Sequence, residues 1–81
     1  MSKLERWAMF YGVMYGEVYD DIRFRNGEVI KTTEIVSFDK ENMVIQTKSG
    51  SFYQLGESGN DLNESIEEIE ELLLSKMNEG K

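Results

Sequence analysis

From residue 61 onward the apolar positions recur at a helical period, whereas before it they do not. Leu62, Ile66, Ile69, Leu73 and Met77 stand at spacings of 4, 3, 4 and 4, which gathers them into one stripe of an α-helix. Glu64, Glu67, Glu68, Glu70 and Glu71 fall on the opposite face. Asp61 followed by Glu64 resembles a capping box, the early acids suit the positive N-terminal dipole, Lys76 suits the other end, and Gly80 can close the helix. The pattern predicts an amphipathic helix over residues 62–79.

Residues 1–56 are rich instead in β-branched and aromatic side chains. Residues 4–19 hold Trp7, Phe10, Tyr11, Tyr15 and Tyr19, interrupted by Gly12 and Gly16. They read as strand, with a helix over residues 4–9 as the competing reading. On a strand, Trp7, Met9, Tyr11, Val13, Tyr15 and Tyr19 share a face. The two glycines take the other, where they suggest a bulge, a sharp coil or close approach by another backbone. Asp20 and Asp21 predict a turn, residues 22–25 a short strand, and Asn26-Gly27 a hairpin, because both residues tolerate φ > 0. A long strand is expected over residues 29–38, carrying the β-branched pairs Thr32-Thr33 and Ile35-Val36. A polar turn over 39–42, a strand over 43–47, a turn at Ser49-Gly50 and a returning strand over 51–55 complete the set. The expected fold is α+β. It is a twisted antiparallel β-meander of about five strands, open or barrel-like, followed by one C-terminal amphipathic helix. Residues 1–56 form the sheet, 57–61 a linker and 62–79 the helix, in a single domain over residues 1–81.

Composition narrows what such a chain can do. It has no Cys and no His, so neither a disulfide nor the usual zinc site can staple so small a core, and self-association is the expected route to stability. The same absence removes Ser-His-Asp and Cys-His arrangements and leaves only carboxylate chemistry to an enzyme. Asp20 and Asp21 are the one adjacent acid pair in the sheet region, and their plain reading is a solvated turn. Binding without turnover is therefore expected, with no cofactor and no metal. The sequence shows no charged-then-apolar leader and no apolar run that would span a bilayer. A cytosolic setting with no membrane partner follows as an expectation.

The net charge of −7 is uneven: residues 1–56 hold 7 basic and 8 acidic side chains, residues 57–81 hold 2 and 8. Polymeric nucleic acid is disfavoured as a partner, because its affinity comes from neutralising many phosphates. A single phosphorylated ligand needs only a few cations. Arg23-Phe24-Arg25 places guanidinium groups, which grip phosphate bidentately, beside a ring that can stack on a purine. The plain alternative is a buried Phe24 between two solvated arginines. Thr47-Lys48-Ser49-Gly50-Ser51 packs hydroxyls, a cation and a turn glycine into one tip that can face an anion, or is simply a hairpin turn. The Glu-rich helix is either a solvated face or a mimic of the phosphate rows of DNA.

Taken together, Arg23-Phe24, Gly27, Ile30, Thr32-Thr33, Ile35, Thr47-Lys48-Ser49-Gly50-Ser51, Tyr53 and Leu55-Gly56 resemble the pattern of the phage Thoeris anti-defence sponge family. Its members sequester cyclic ADP-ribose isomers, and in some cases cyclic oligonucleotides, that host immune enzymes make as alarm signals. The likeness covers about residues 18–56. It implies a ligand pocket between two protomers, with an aromatic at Phe24, a polar residue at Glu34 and a cation at Lys48. Glu34 departs from the amide expected there: a carboxylate repels a pyrophosphate, although it can accept hydrogen bonds from ribose hydroxyls. The implied function is immune evasion in the cytoplasm of an infected bacterium, by a homodimer or higher homo-oligomer binding a cyclic nucleotide. Arg23, Arg25 and Lys48 would meet phosphates, Phe24 the base, and Thr47, Ser49 and Ser51 phosphate or ribose oxygens. A small inhibitor that docks on a host protein through its sheet edge or acidic helix is the alternative expectation.

Overall fold

The structure is a computed structural model describing residues 1–79. In chain order it contains β1 (Ser2–Phe10), β2 (Val13–Tyr19), β3 (Glu28–Lys31), β4 (Ile35–Asp39), β5 (Val44–Thr47), β6 (Phe52–Leu55) and α1 (Leu62–Glu79). The expected α+β class holds, with the sheet first and the helix last. All six strands join one sheet in the order β3-β2-β1-β6-β5-β4. Pairing is antiparallel except between β1 and β6, where Ser2, Lys3 and Leu4 run parallel to Tyr53, Gln54 and Leu55. The sheet is therefore mixed, not an antiparallel meander.

Three expected strands are divided or absent. Residues 4–19 break at Tyr11 and Gly12, whose φ angles of 49° and 83° make the two-residue turn joining β1 to β2. Residues 22–25 form no strand. Asp21 accepts the Arg23 N–H on its side chain and the Phe24 N–H on its carbonyl, folding the segment into a turn, and Asn26 Oδ1 accepts the Asp20 N–H. The tight Asn26-Gly27 hairpin is thus a longer loop over residues 20–27, although Gly27 does take φ 88°. Residues 29–38 split because Thr32 ends the pairing with β2, its N–H donating to Met14 O and its hydroxyl accepting from Met14 N.

That split shapes the molecule, because β3 and β4 lie at opposite edges of the sheet yet are consecutive in the chain. Six strands laid flat would separate the edges by about 24 Å. The short link from Lys31 to Ile35 reaches at most about 14 Å. The sheet must curl to bring its edges near each other, but it does not close into a barrel, since β3 and β4 are not paired.

A bulge in β1 sets the core. Glu5 pairs with Glu17 and Ala8 with Tyr15, leaving Arg6 and Trp7 opposite Gly16. Arg6 takes φ 48°, and its guanidinium holds Glu17 through bonds of 2.6 and 2.7 Å. A Cβ on Gly16 would stand 3.2 Å from Trp7 Cβ and 3.3 Å from Glu5 O, so the close approach foreseen at a glycine occurs here. Trp7 turns inward, fully buried, and donates its indole N–H to Gly56 O at 3.1 Å. The bulge and the turn also undo the expected common face. Trp7 and Met9 pack on the core, whereas Tyr15 and Tyr19 alternate away from buried Met14 and Val18.

The linker is tied down rather than free. Gly56 and Gly59 donate to Leu4 O and Trp7 O, and Ser58 shares a 3.0 Å hydroxyl contact with buried Ser65 of α1. Asp61 caps the helix as expected, accepting the Glu64 N–H at 3.1 Å. Gly80 lies outside the described residues. The helix packs on β4 and β1 through buried Ile69, with Leu72 and Leu73 beside it, while Leu62 and Met77 at the ends of the stripe stay exposed. No helix among the described residues is long and apolar enough to cross a membrane.

Candidate functional site

The loop over residues 20–27 is organised around Asp21, whose side chain is only 4% exposed. Its carboxylate accepts from Ser2 Oγ at 2.9 Å, from the Arg23 N–H at 2.9 Å, and from the Arg23 guanidinium through Nε at 3.0 Å and Nη2 at 2.7 Å. These bonds, those to the guanidinium foremost, hold the Asp21 carboxyl well below the usual carboxylate range, against the opposing effect of burial. Arg23 then reaches across to β6 and the tip before it, donating to Tyr53 Oη at 3.0 Å and Ser51 Oγ at 3.3 Å. Its guanidinium carbon also lies 5.2 Å from the centre of the Phe24 ring. Phe24 is half-buried against the core. Most donors of Arg23 therefore serve the fold, and Phe24 has little free face for a base.

The β5–β6 tip joins this loop to residues 32–34. Buried Thr47 shares a 3.0 Å contact with Ser49 Oγ, to which the Thr33 hydroxyl donates at 3.3 Å, and the Ser49 N–H donates back to Thr33 Oγ1. Gly50 at φ 91° lets the tip turn, with its N–H on Thr47 O. The Lys48 N–H donates to Glu34 O at 2.7 Å, which sets the two residues side by side. Glu34 is held by Lys76 at 3.2 Å, and Lys76 also donates to Ile35 O at 3.0 Å. The hydrogen bond from Lys76, then its charge and that of Lys48, lower the Glu34 pKa. The Glu34 carboxylate is thus already paired with Lys76, with the charge of Lys48 nearby but not in contact.

The structure brings Arg23 to Ser51, Thr47 to Ser49, and Glu34 to Lys48, so seven of the eight sequence-derived candidates meet around one patch when Phe24 under Arg23 is counted. Arg25 belongs to the same loop, exposed, and its carbonyl accepts the Glu28 N–H. Among the described residues Arg25 and Lys48 form no ion pair. Asp21, Thr33, Tyr53 and Lys76 complete the patch and were not among the candidates. The turn expected at Asp20 and Asp21 is present, but Asp21 is buried rather than solvated because its carboxylate is taken up by Ser2 and Arg23, and Tyr53 and Lys76 reach the patch only through tertiary packing. Chemically, the arrangement offers hydroxyls, a turn backbone and exposed cations to an oxyanion. The hydroxyls bond one another, and no group of three or more carboxylates placed to hold a metal ion occurs among the described residues.

Comparison of the chain with family models, with curated proteins and with solved structures found no match.

Proposed function

We propose that this protein binds a small phosphorylated nucleotide of the cyclic second-messenger class at the patch between the 20–27 loop, the β5–β6 tip and Thr33, and sequesters it without degrading it. Convergence supports this reading most: Arg23 and Ser51, 28 residues apart, and Thr33 and Ser49, 16 apart, meet within 3.3 Å. Exposed Lys48 and Arg25 are the cations for phosphate, and the hydroxyls of Ser49 and Ser51 serve phosphate or ribose oxygens. Arg23 acts through Asp21 to fix the loop. The sponge-family resemblance favours the same ligand class, and with it an immune-evasion role in the cytoplasm of an infected bacterium. A patch this open needs a second protomer to enclose a nucleotide, which favours a homodimer or higher oligomer.

A thermal-shift screen of the full chain against cyclic ADP-ribose isomers, cyclic dinucleotides and cyclic trinucleotides tests the reading. At about 100-fold excess over Kd a ligand adds about 2.7 kcal/mol of stability. The rise in Tm should vanish in Lys48→Ala and shrink in Arg25→Ala, and the ligand should be recovered intact after denaturation. No rise with any of these compounds, in a folded sample, rejects the assignment.

A further inference from the structure

The turn between β1 and β2 presents chemistry that the nucleotide reading does not use. Tyr11 is 96% exposed and Phe10 60% exposed. Their rings meet edge to face at 4.9 Å, and Phe10 meets Tyr15 the same way at 6.2 Å. Tyr11 does this at φ 49°, a conformation that suits Asn, Asp or Gly in a two-residue turn and strains a bulky side chain. Neither core packing nor turn chemistry accounts for a tyrosine at this position.

Beside the turn runs a groove of about 300 Å³ between Phe10, Tyr11 and Gly12 on one side and Glu68, Glu71 and Leu72 of α1 on the other. It continues past Ser75 toward Glu34 and Lys76 in a hollow of about 440 Å³. Leu72 forms part of the wall, and a Cβ on Gly12 would lie 3.7 Å from its Cδ1. Glu68 and Glu71 stand three residues apart on one helix face, both exposed, and neither forms an ion pair among the described residues. Lys76, at the far end, is matched by Glu34 and the Ile35 carbonyl. The groove thus combines exposed aromatic faces of the sheet with unmatched carboxylates of the C-terminal segment, which carries most of the net negative charge.

We infer that this groove docks a basic segment of a partner protein, seating a Lys or Arg side chain against the Tyr11 ring with Glu68 and Glu71 as its counter-charges and apolar neighbours against Phe10 and Leu72. Charge selects this occupant. A second copy of the chain meeting the groove about a two-fold axis would set carboxylates against carboxylates, and nucleic acid would be repelled. A guanidinium or ammonium gains from both the ring face and the carboxylates. The other apolar hollow beside the helix, lined by Val36, Leu73, Lys76 and Met77, has no comparable charge pattern to name an occupant.

The test is fluorescence polarisation of the full chain with a labelled short peptide alternating Arg and Leu, beside its Glu-for-Arg counterpart. Only the basic peptide should bind. Affinity should fall roughly tenfold both in Tyr11→Asn, which keeps a residue suited to the turn, and in Glu68→Gln/Glu71→Gln. Glu28→Gln/Glu41→Gln removes the same charge from exposed positions in the sheet region, away from the groove, and should leave affinity within about twofold. Amide chemical-shift changes on titration should centre on Tyr11, Gly12 and Leu72. Equal loss in both double variants would show attraction to net charge alone and overturn the proposal. So would unchanged affinity in Tyr11→Asn, or no binding of the basic peptide.

Discussion

At the β5–β6 tip, Thr33, Thr47 and Ser49 bond to one another and the Arg23–Asp21 pair braces the adjoining loop, so these hydroxyls and the buried carboxylate have internal partners and Lys48 and Arg25 are left for a ligand. At the β1–β2 turn the opposite holds: Phe10 touches Tyr11 and Tyr15, both Phe10 and Tyr11 are largely exposed, and Glu68 and Glu71 beside them form no ion pair among the described residues. The first region is rich in the residue types associated with ligand binding, yet most of that capacity is used within the fold. The second has an unremarkable sequence and leaves its capacity open. What a surface can bind depends on which groups remain unmatched after folding, more than on which residue types it contains.

The sharpest way to break the comparison is Asp21→Ala. Its buried carboxylate holds Ser2, the Arg23 backbone and the Arg23 guanidinium together. Arg23 is itself half-exposed and can regain water, so the loss should sit at the low end for a broken buried pair, about 3 kcal/mol by urea denaturation. A tip that tolerates the change within about 0.5 kcal/mol would not be internally braced. The same bonds predict a pH dependence. The folded Asp21 pKa lies below its ordinary value, so its contribution is fully present above about pH 3.9 and is lost as pH falls through the folded value. Asp21→Ala should show a visibly shallower acid limb than the parent chain.

A smaller effect is expected from Thr47→Val, which keeps the shape of a buried side chain but removes the hydroxyl contacting Ser49. Ser49 is exposed and can turn to water or to Thr33. The net loss should therefore be about 1 kcal/mol, read from the same denaturation curves.

How far the sequence anticipated these two regions follows from the range of the interactions involved. The helix and its Asp61 cap were legible because a 3.6-residue period and a side-chain cap are local facts. Strand content was legible too, but its division was not. Residues 29–38 look like one β-branched run, and only the bonds between Thr32 and Met14 reveal where the chain leaves one sheet edge for the other. Ile22, fully exposed at a loop tip, mimicked strand hydrophobicity. The parallel β1–β6 pairing joins residues some 50 apart and leaves no local trace. Arg23, Lys48 and the tip hydroxyls could be named from residue type and resemblance, but the engagement of Arg23 by Asp21 and Tyr53 depends on burial and tertiary contact. The Tyr11 groove was hidden for another reason. The alternation of Trp7, Met9, Tyr11, Val13 and Tyr15 runs straight through a two-residue turn that lacks Asn or Asp at its first position.

Tyr11→Asn sharpens the comparison by its sign. Releasing a tyrosine from φ 49° recovers about 1 kcal/mol, because Asn adopts this region readily. The lost edge contact with Phe10 gives back about 0.5 kcal/mol, since both rings are solvent-exposed. The variant should therefore be more stable than the parent by about 0.5 kcal/mol, while Asp21→Ala and Thr47→Val are both less stable. A gain in stability joined to a loss of basic-peptide affinity would mean that Tyr11 is retained for what it touches outside the molecule. A loss of stability above about 1 kcal/mol would instead make Tyr11 a structural residue, and the two hairpin ends would then follow the same rule.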